Sequence, residues 1–244
     1  MYLSVIIPAR NEENNIKNTV EDVYSYLLRK NIDHEIIVVE NNSRDKTVEI
    51  ARELMARIPT LDLLQLTVES GKSAKGYAVR KGMLKAKGDF RLITDADNST
   101  TIDHIEKMMP FFDQGYSVVI ASIALKGAVV AGGSEPVWRR LFGKMGNLFI
   151  QIMAVPGIHD TQRGFKIFRA DAVEKIFPKM TIDGWGWDVE ALALARKFRF
   201  KIKEVPINWK NDIVHSKVGL KAYREVLLET VRVRWNLVSG RYDK

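Results

Sequence analysis

Asp95 and Asp97 follow the apolar run Phe90-Arg91-Leu92-Ile93 with only Thr94 intervening. Side chains two apart on a strand point the same way, so the two carboxylates can meet one hard cation where the strand ends. A Mg2+ or Mn2+ held there could in turn grip a diphosphate. Acidic residues at a strand end also serve as helix caps or solvated turn residues, so the pair takes its meaning from its neighbours. Two more polar clusters follow apolar runs: Pro8-Ala9-Arg10-Asn11-Glu12 and Glu40-Asn41-Asn42-Ser43-Arg44-Asp45. Asn11 and Asp45 are good helix N-caps, which is the ordinary explanation of those clusters. Further on stand Asp160-Thr161-Gln162-Arg163-Gly164-Phe165-Lys166 and Gly184-Trp185-Gly186-Trp187-Asp188-Val189-Glu190. There Asp188 could cap a helix, and Trp185 and Trp187 suit either a core or a sugar-stacking face.

The elements that must position these residues alternate. Strand-like runs fall at 2–7, 35–39, 62–67, 90–94 and 117–121, and helical periodicity at 14–30, 46–57, 73–87, 102–113 and 138–153. Strands separated by helices of this length predict a mainly parallel sheet with right-handed crossovers. Ligands of such sheets sit beyond the carboxyl ends of the strands, where all three clusters fall. After residue 120 the alternation stops. Residues 125–133 read as a flexible, small-residue connector. Residues 136–158 read as a helix with an apolar stripe and with Arg139, Arg140 and Lys144 near its start. That stripe suits core packing or a lipid-facing surface.

Composition removes several alternatives. The 244 residues contain no cysteine, which excludes disulfides, zinc-thiolate sites and a thiol nucleophile, and the four histidines are scattered. No Gly-x-Gly-x-x-Gly follows a strand, and Gly71-Lys72-Ser73 lacks the glycine that a phosphate loop needs five residues earlier. No apolar run reaches the length of a membrane span, and the opening Tyr2–Ile7 reads as a strand, so the cytoplasm is the expected location. The net charge of +8 lies wholly in residues 196–244, with 13 Lys/Arg against 5 Asp/Glu. That excess fits an anion-facing surface, whether nucleic acid, anionic membrane or phosphorylated substrate, or a merely solvated basic helix.

Taken in order, Val5-Ile6-Ile7-Pro8-Ala9-Arg10-Asn11-Glu12-Glu13, Ile36 to Asp45, Lys75-Gly76-Tyr77-Ala78-Val79-Arg80-Lys81-Gly82, Asp95-Ala96-Asp97, Asp160 to Lys166 and Trp187-Asp188-Val189-Glu190 resemble the family 2 glycosyltransferases with the GT-A fold. The branch is similar to the dolichyl-phosphate β-glucosyltransferases and dolichyl-phosphate mannose synthases. The likeness runs through Val205-Pro206-Ile207-Asn208-Trp209 and His215-Ser216-Lys217, and Asp-Thr-Gln before Gly-Phe-Lys leans to the glucosyltransferase side. It implies that Pro8, Ala9, Asn11, Glu12, Glu40, Ser43, Asp95 and Ala96 bind the nucleotide, Glu40 contacting the base. Asp95 and Asp97 would hold Mg2+ or Mn2+, Ser99 would stand at the metal side, and Lys75 and Arg80 would lie behind the donor site. Gln162, Gly164 and Trp187 would face the sugar, with Asp97, Asp160, Asp188 and Glu190 as the catalytic acids. Arg139, Arg140, Arg163 and Lys217 would grip the acceptor phosphate.

The chain departs from the family pattern at Glu40-Asn41-Asn42-Ser43, where Asp-Asp-Gly-Ser is common, and at Ser122-Ile123, where Ser-Arg is common. The resemblance implies an α/β GT-A catalytic domain over 1–210 and a basic amphipathic helix over 211–244 that meets an anionic membrane surface peripherally, on the cytoplasmic face. The implied reaction is metal-assisted, inverting transfer of a hexose, glucose first, from a nucleotide sugar such as UDP-glucose to a polyprenyl phosphate, with no nucleic-acid partner. GDP-mannose as donor, and a soluble or saccharide acceptor, are the alternatives.

Overall fold

The computed structural model describes residues 2–68, 74–131, 137–210 and 220–243. The chain runs β1 (Leu3–Ala9), α1 (Ile16–Arg29), β2 (His34–Asn41), α2 (Thr47–Met55), β3 (Leu61–Leu66), α3 (Lys75–Lys85) and β4 (Phe90–Ile93). Short helices α4 (Ile105–Met108) and α5 (Pro110–Asp113) lead to β5 (Val118–Ser122). Then come β6 (Val129–Ala131), α6 (Val137–Met153), β7 (Lys166–Arg169), α7 (Ala170–Ile176), α8 (Trp187–Lys197), β8 (Ile202–Pro206), β9 (Asn208–Lys210) and α9 (Leu220–Val238).

Among the described residues the main sheet has the order β3-β2-β1-β4-β7-β5-β8. Every neighbouring pair is parallel except those of β7, which runs antiparallel to both β4 and β5. The central strands are covered on both faces, which is why β1, β2 and β5 are almost uninterrupted apolar runs. Alternate residues feed opposite cores: Ile6, Ile37, Val39 and Ile93 pack with Val79, Met83, Leu192 and Val226, whereas Val5, Ile7, Ile36, Val38 and Leu92 pack with Val20, Val23 and Ala51.

The loops after β1, β2 and β4 each place an asparagine at positive φ: Asn11 at 55°, Asn42 at 50° and Asn98 at 53°. Asparagine tolerates this left-handed conformation better than most residues, so the chain can turn sharply at the sheet edge. Asn11 therefore does not cap α1, whose N-cap is Asn15. Instead its Oδ1 accepts the Arg44 N–H at 2.8 Å and its own N–H donates to Ser43 Oγ at 3.0 Å, lacing the first two loops together.

Part of the expected small-residue connector is strand: β6 pairs in parallel with β9. Helix α9 packs against α6 and α8 and buries Ala222, Val226 and Val233. Leu227, Leu228 and Val231 of the same helix remain exposed.

Candidate active site

The carboxyl ends of β1, β2 and β4, the Gln162–Gly164 turn, the loop before α8 and one face of α9 enclose a cleft of about 1350 Å3. Of the nucleotide-site residues expected from sequence, Pro8, Ala9, Asn11, Glu12, Asp95 and Ala96 line it, as do Asp97, Gln162, Arg163, Gly164, Trp187 and Asp188.

Asp95 is held from two sides. Lys75, the first residue of α3, places Nζ 2.8 Å from Asp95 Oδ1, and that ammonium also lies 5.3 Å from the centre of the Trp185 ring. On the other side the carboxylate rests on the α-carbon of Gly164, where a Cβ would come 1.8 Å from Asp95 Oδ2. Burial pushes the Asp95 pKa up, but Lys75, with Lys166 and Arg163 beyond, outweighs it and keeps the carboxyl below its usual value. Lys75 answers in kind: burial alone would lower its pKa, and Asp95 raises it instead.

Asp97 is solvent-exposed at the rim and its Oδ1 accepts the Ser99 N–H at 3.0 Å. Its pKa is raised, first by the protein walls that strip water from it and then by the negative charge of Asp95. Two carboxylates that disfavour each other's ionisation, one of them presenting oxygens to solvent, suit a hard divalent cation that keeps waters and completes its shell with substrate phosphate. Among the described residues no cluster of three or more acidic or histidine side chains forms a closed metal cage. The chemistry of the two carboxylates fits a cation shared between protein and a bound diphosphate.

Deeper in, Lys166 is fully buried at the start of β7, with Nζ 3.8 Å from Asp188 Oδ2, hydrogen-bonded to the Arg163 carbonyl and 5.2 Å from the centre of the Trp187 ring. Burial lowers the Lys166 pKa against the pull of Asp188, Asp160 and Asp95. Burial also pushes Asp188 up to about 6, with Lys166 opposing the shift. Asp188 is thus mostly ionised at neutral pH. Arg163 stacks on Trp209, its guanidinium carbon 4.5 Å from the ring centre, and its Nε lies 3.3 Å from Asp160 Oδ2.

Four of the expected site residues do not line the cleft. Glu40 is buried and turns back to accept the Ser43 N–H, closing its own loop. Ser43 is spent on Asn11. Asp160 is buried and fixes the corner beneath Gln162, accepting the Ile123 N–H at 3.0 Å and the Gln162 N–H at 3.3 Å. The backbone of Ile123 thus takes a place in this corner. Glu190 is fully buried and faces away from the cleft, accepting from Thr181 N–H, Thr181 Oγ, Ile182 N–H and the Tyr242 hydroxyl at 2.7–2.8 Å. Arg139 and Arg140 fall within α6 with side chains outside the described ones, and Lys217 lies outside the described residues.

The cleft also contains residues the sequence did not single out for the site. Asn41, next to Glu40, lines it with a buried Oδ1 that has no hydrogen-bond partner. Period-two alternation along β2 is the signal, since it turns Glu40 and Asn41 to opposite sides. Glu225, Glu229 and Arg232 reach the cleft from α9, their spacing of four and three placing them on one helical face.

Comparison with known proteins agrees with this geometry. Residues 4–177 match the family model described as glycosyl transferase family 2. The chain is 30% identical to a dolichyl-phosphate beta-glucosyltransferase of Dictyostelium discoideum, across 98% of this chain and 76% of that protein. It is 32% identical to the protein of that name from Saccharomyces cerevisiae, across 90% of this chain and 70% of the other. In structure it is similar to glucosyl-3-phosphoglycerate synthase from Mycobacterium tuberculosis, solved with Mn2+, UDP-glucose and phosphoglyceric acid, at a TM-score of 0.67 and 20% identity over 96% of this chain and 79% of that one. Mannosyl-3-phosphoglycerate synthase from Rubrobacter xylanophilus superposes with a TM-score of 0.67 and 17% identity over 99% of this chain and 75% of that one. No described helix is long and apolar enough to cross a membrane. With the parallel sheet, the single antiparallel strand β7 and the Asp95-Asp97 pair at the edge of β4, these likenesses establish that the chain is a member of glycosyltransferase family 2 with the GT-A fold.

Proposed function

We propose that this chain transfers glucose from UDP-glucose to a polyprenyl phosphate with inversion at the sugar C1, assisted by Mg2+ or Mn2+. The observation that carries the reading is the convergence of the Lys75–Asp95 pair, Asp97 and Asp188 in one cleft, on a chain whose relatives bear the name dolichyl-phosphate beta-glucosyltransferase. An oxygen of the acceptor phosphate forms a bond to C1 while the bond from C1 to the diphosphate breaks, and the nucleoside diphosphate leaves with the electron pair. A phosphate monoester is already largely dianionic at neutral pH, so little general-base help is needed. The cation, when bound, supplies Lewis-acid stabilisation of the departing diphosphate.

This chain's residues do the rest. Lys75 keeps Asp95 ionised and aimed, and Asp97 offers the solvent-facing oxygens. Asn41 Oδ1 awaits an N–H, which the N3 position of uracil supplies. Arg163, braced by Trp209 and Asp160, meets the incoming phosphate beside Gln162 and Gly164.

We infer that contact with the lipid acceptor is peripheral. Ile152 on α6, with Trp235 and Val238 on α9, are each about 70% exposed, and these two helices pack side by side. Lys221, Arg224 and Arg234 on α9 add positive charge that an anionic surface attracts, while Arg232 turns into the cleft. The testing experiment incubates the protein with Mn2+ or Mg2+ and either UDP-glucose or GDP-mannose, with and without a short polyprenyl phosphate, and measures nucleoside diphosphate release. Release that needs both UDP-glucose and the polyprenyl phosphate is expected; release indifferent to the lipid phosphate overturns the acceptor assignment.

A further inference from the structure

Helix α9 does more than cover the cleft. Glu229 Oε2 accepts the N–H of Gly186, the residue that opens α8, at 2.6 Å. The neighbouring Gly184 is pressed just as closely, since a Cβ there would come 2.2 Å from Glu229 Oε1 and 2.6 Å from Glu225 Oε1. The loop thus has glycine where the two carboxylates of α9 lie against its backbone.

The other side of this loop grips α3. The carbonyls of Asp183 and Gly184 accept the N–H groups of Tyr77 and Gly76 at 3.1 Å each. Those are first-turn donors of a helix that has no side-chain N-cap. Arg80 reinforces the contact with an ion pair to Asp183 at 2.7 Å and a bond to the Met180 carbonyl. The residue that begins α3 is Lys75, the partner of Asp95, and Trp185 of the loop stacks on its ammonium.

We propose that Glu229 is a positioning residue for the donor site: by fixing the loop 183–187 from α9, it fixes the start of α3 and hence the Lys75–Asp95 pair. The chain of contacts is continuous, from Glu229 to Gly186 and Gly184, from their loop to Gly76 and Tyr77, and from Lys75 to Asp95. Glu229 itself need not touch substrate to matter. The inference rests on the proposed function only for what the site binds; the mechanical link stands on the contacts alone.

The test compares wild type with Glu229→Ala, Glu229→Gln, Gly184→Ala and the double variant Gly184→Ala/Glu229→Ala. Amide hydrogen exchange is followed in peptides covering 75–80 and 181–188, alongside UDP binding and transfer kinetics. Glu229→Ala is expected to speed exchange in both peptides at least tenfold and to raise the donor KM about tenfold, while Glu229→Gln, which can still accept the Gly186 N–H, retains most of the protection. Gly184→Ala displaces the carboxylates without altering α9 and should reproduce the effect. The double variant should be no worse than either single, because a shared contact can be lost only once. Unchanged exchange at 75–80, or strict additivity in the double variant, overturns the link. A wild-type protein that shows no UDP binding or transfer counts against the proposed function, and exchange at 75–80 then decides the link by itself.

Discussion

Replacing Gly164 by alanine probes the donor site through a single methyl group. The new Cβ would lie 1.8 Å from Asp95 Oδ2, whereas ordinary van der Waals contact begins at 3.4 Å, so the carboxylate must retreat by about 1.6 Å. Lys75 Nζ stands 2.8 Å away on the opposite side, so the carboxylate cannot slide back along that line and must turn out of its present rotamer, which breaks the existing ion-pair geometry. A hydrogen bond between charged groups contributes about 1.5–3 kcal/mol, and with the two side chains 27% and 33% exposed the lower end applies. Roughly 1.4 kcal/mol is tenfold in binding, so donor affinity should fall about tenfold and kcat/KM by ten- to a hundredfold. The fold should survive, because the clash is with the end of one side chain and not with backbone. The assay is UDP-glucose binding by calorimetry with Mn2+ present, paired with a melting curve. In an Asp95→Ala background the same alanine should have no further effect. Donor affinity unchanged in Gly164→Ala, or a full tenfold loss repeated in the Asp95→Ala background, would refute the account of Asp95 as a carboxylate wedged between Lys75 and Gly164.

Asp97→Ala should lower transfer at least a thousandfold and remove its dependence on the divalent ion, while stability stays within about 0.5 kcal/mol because the side chain is exposed; metal titration of the variant and a denaturant melt check this. Glu190→Ala leaves the Thr181 and Ile182 N–H groups and the Tyr242 hydroxyl without their acceptor in a buried site, so stability should drop by about 3–5 kcal/mol, read as a melting temperature lower by roughly 10 °C. Glu229, raised to about 7 mainly by burial and further by Glu225 and Glu190, with the Gly186 N–H and Arg232 opposing, is harder to ionise in the folded protein than in the unfolded chain. Its contribution to stability is therefore complete below about pH 4.5 and lost as pH rises through 7, and Glu229→Gln should flatten the stability profile between pH 5 and 8 by about 2 kcal/mol. Asp188, pushed up to about 6, should give kcat/KM an ionisation near that pH, absent in Asp188→Asn.

The parts of this architecture that are local in sequence can be read from it. Strands β1, β2 and β4 are apolar runs ended by turn-forming residues, and the three clusters that follow them do meet in one region. What escapes is what depends on distant pairing or on a one-residue change of face. Strand β7 has only four residues, with Lys166 and Arg169 at its ends, and its antiparallel seat between β4 and β5 is set by partners far away in the chain. Glu40 turns into its own loop and Asn41 into the cleft because neighbours on a strand face opposite ways. The resemblance implies that Asp188 and Glu190 are both catalytic acids, yet residues two apart on a helix point to different sides. Asp188 meets the cleft and Glu190 meets Thr181 and Tyr242. The Glu229 contact joins positions 43 residues apart, and nothing near Gly186 announces it.

Charge explains why the site takes this form. A nucleotide sugar and a phosphate monoester both arrive as anions, yet Asp95, Asp97, Asp188 and Glu229 all line the cleft they would enter. Left unpaired, these and the other lining carboxylates, Glu12 and Glu225 among them, would repel both substrates and one another. The structure answers at two depths. Inside, Lys75 and Lys166 are each fixed against a carboxylate, so Asp95 and Asp188 are held without leaving a net anionic wall. At the rim the compensation is incomplete: Ser99 and the charge of Lys75 favour ionised Asp97, but burial and the negative charge of Asp95 outweigh them, and its ionisation is disfavoured. Under the proposed reading, that deficit is what makes cation and donor bind together, since the cation relieves the two aspartates while the diphosphate completes its shell. Donor affinity should then depend on the cation far more than affinity for a polyprenyl phosphate does, because the acceptor is met by Arg163. Equal loss of both affinities on chelation would place the cation between donor and acceptor and contradict this division of charge.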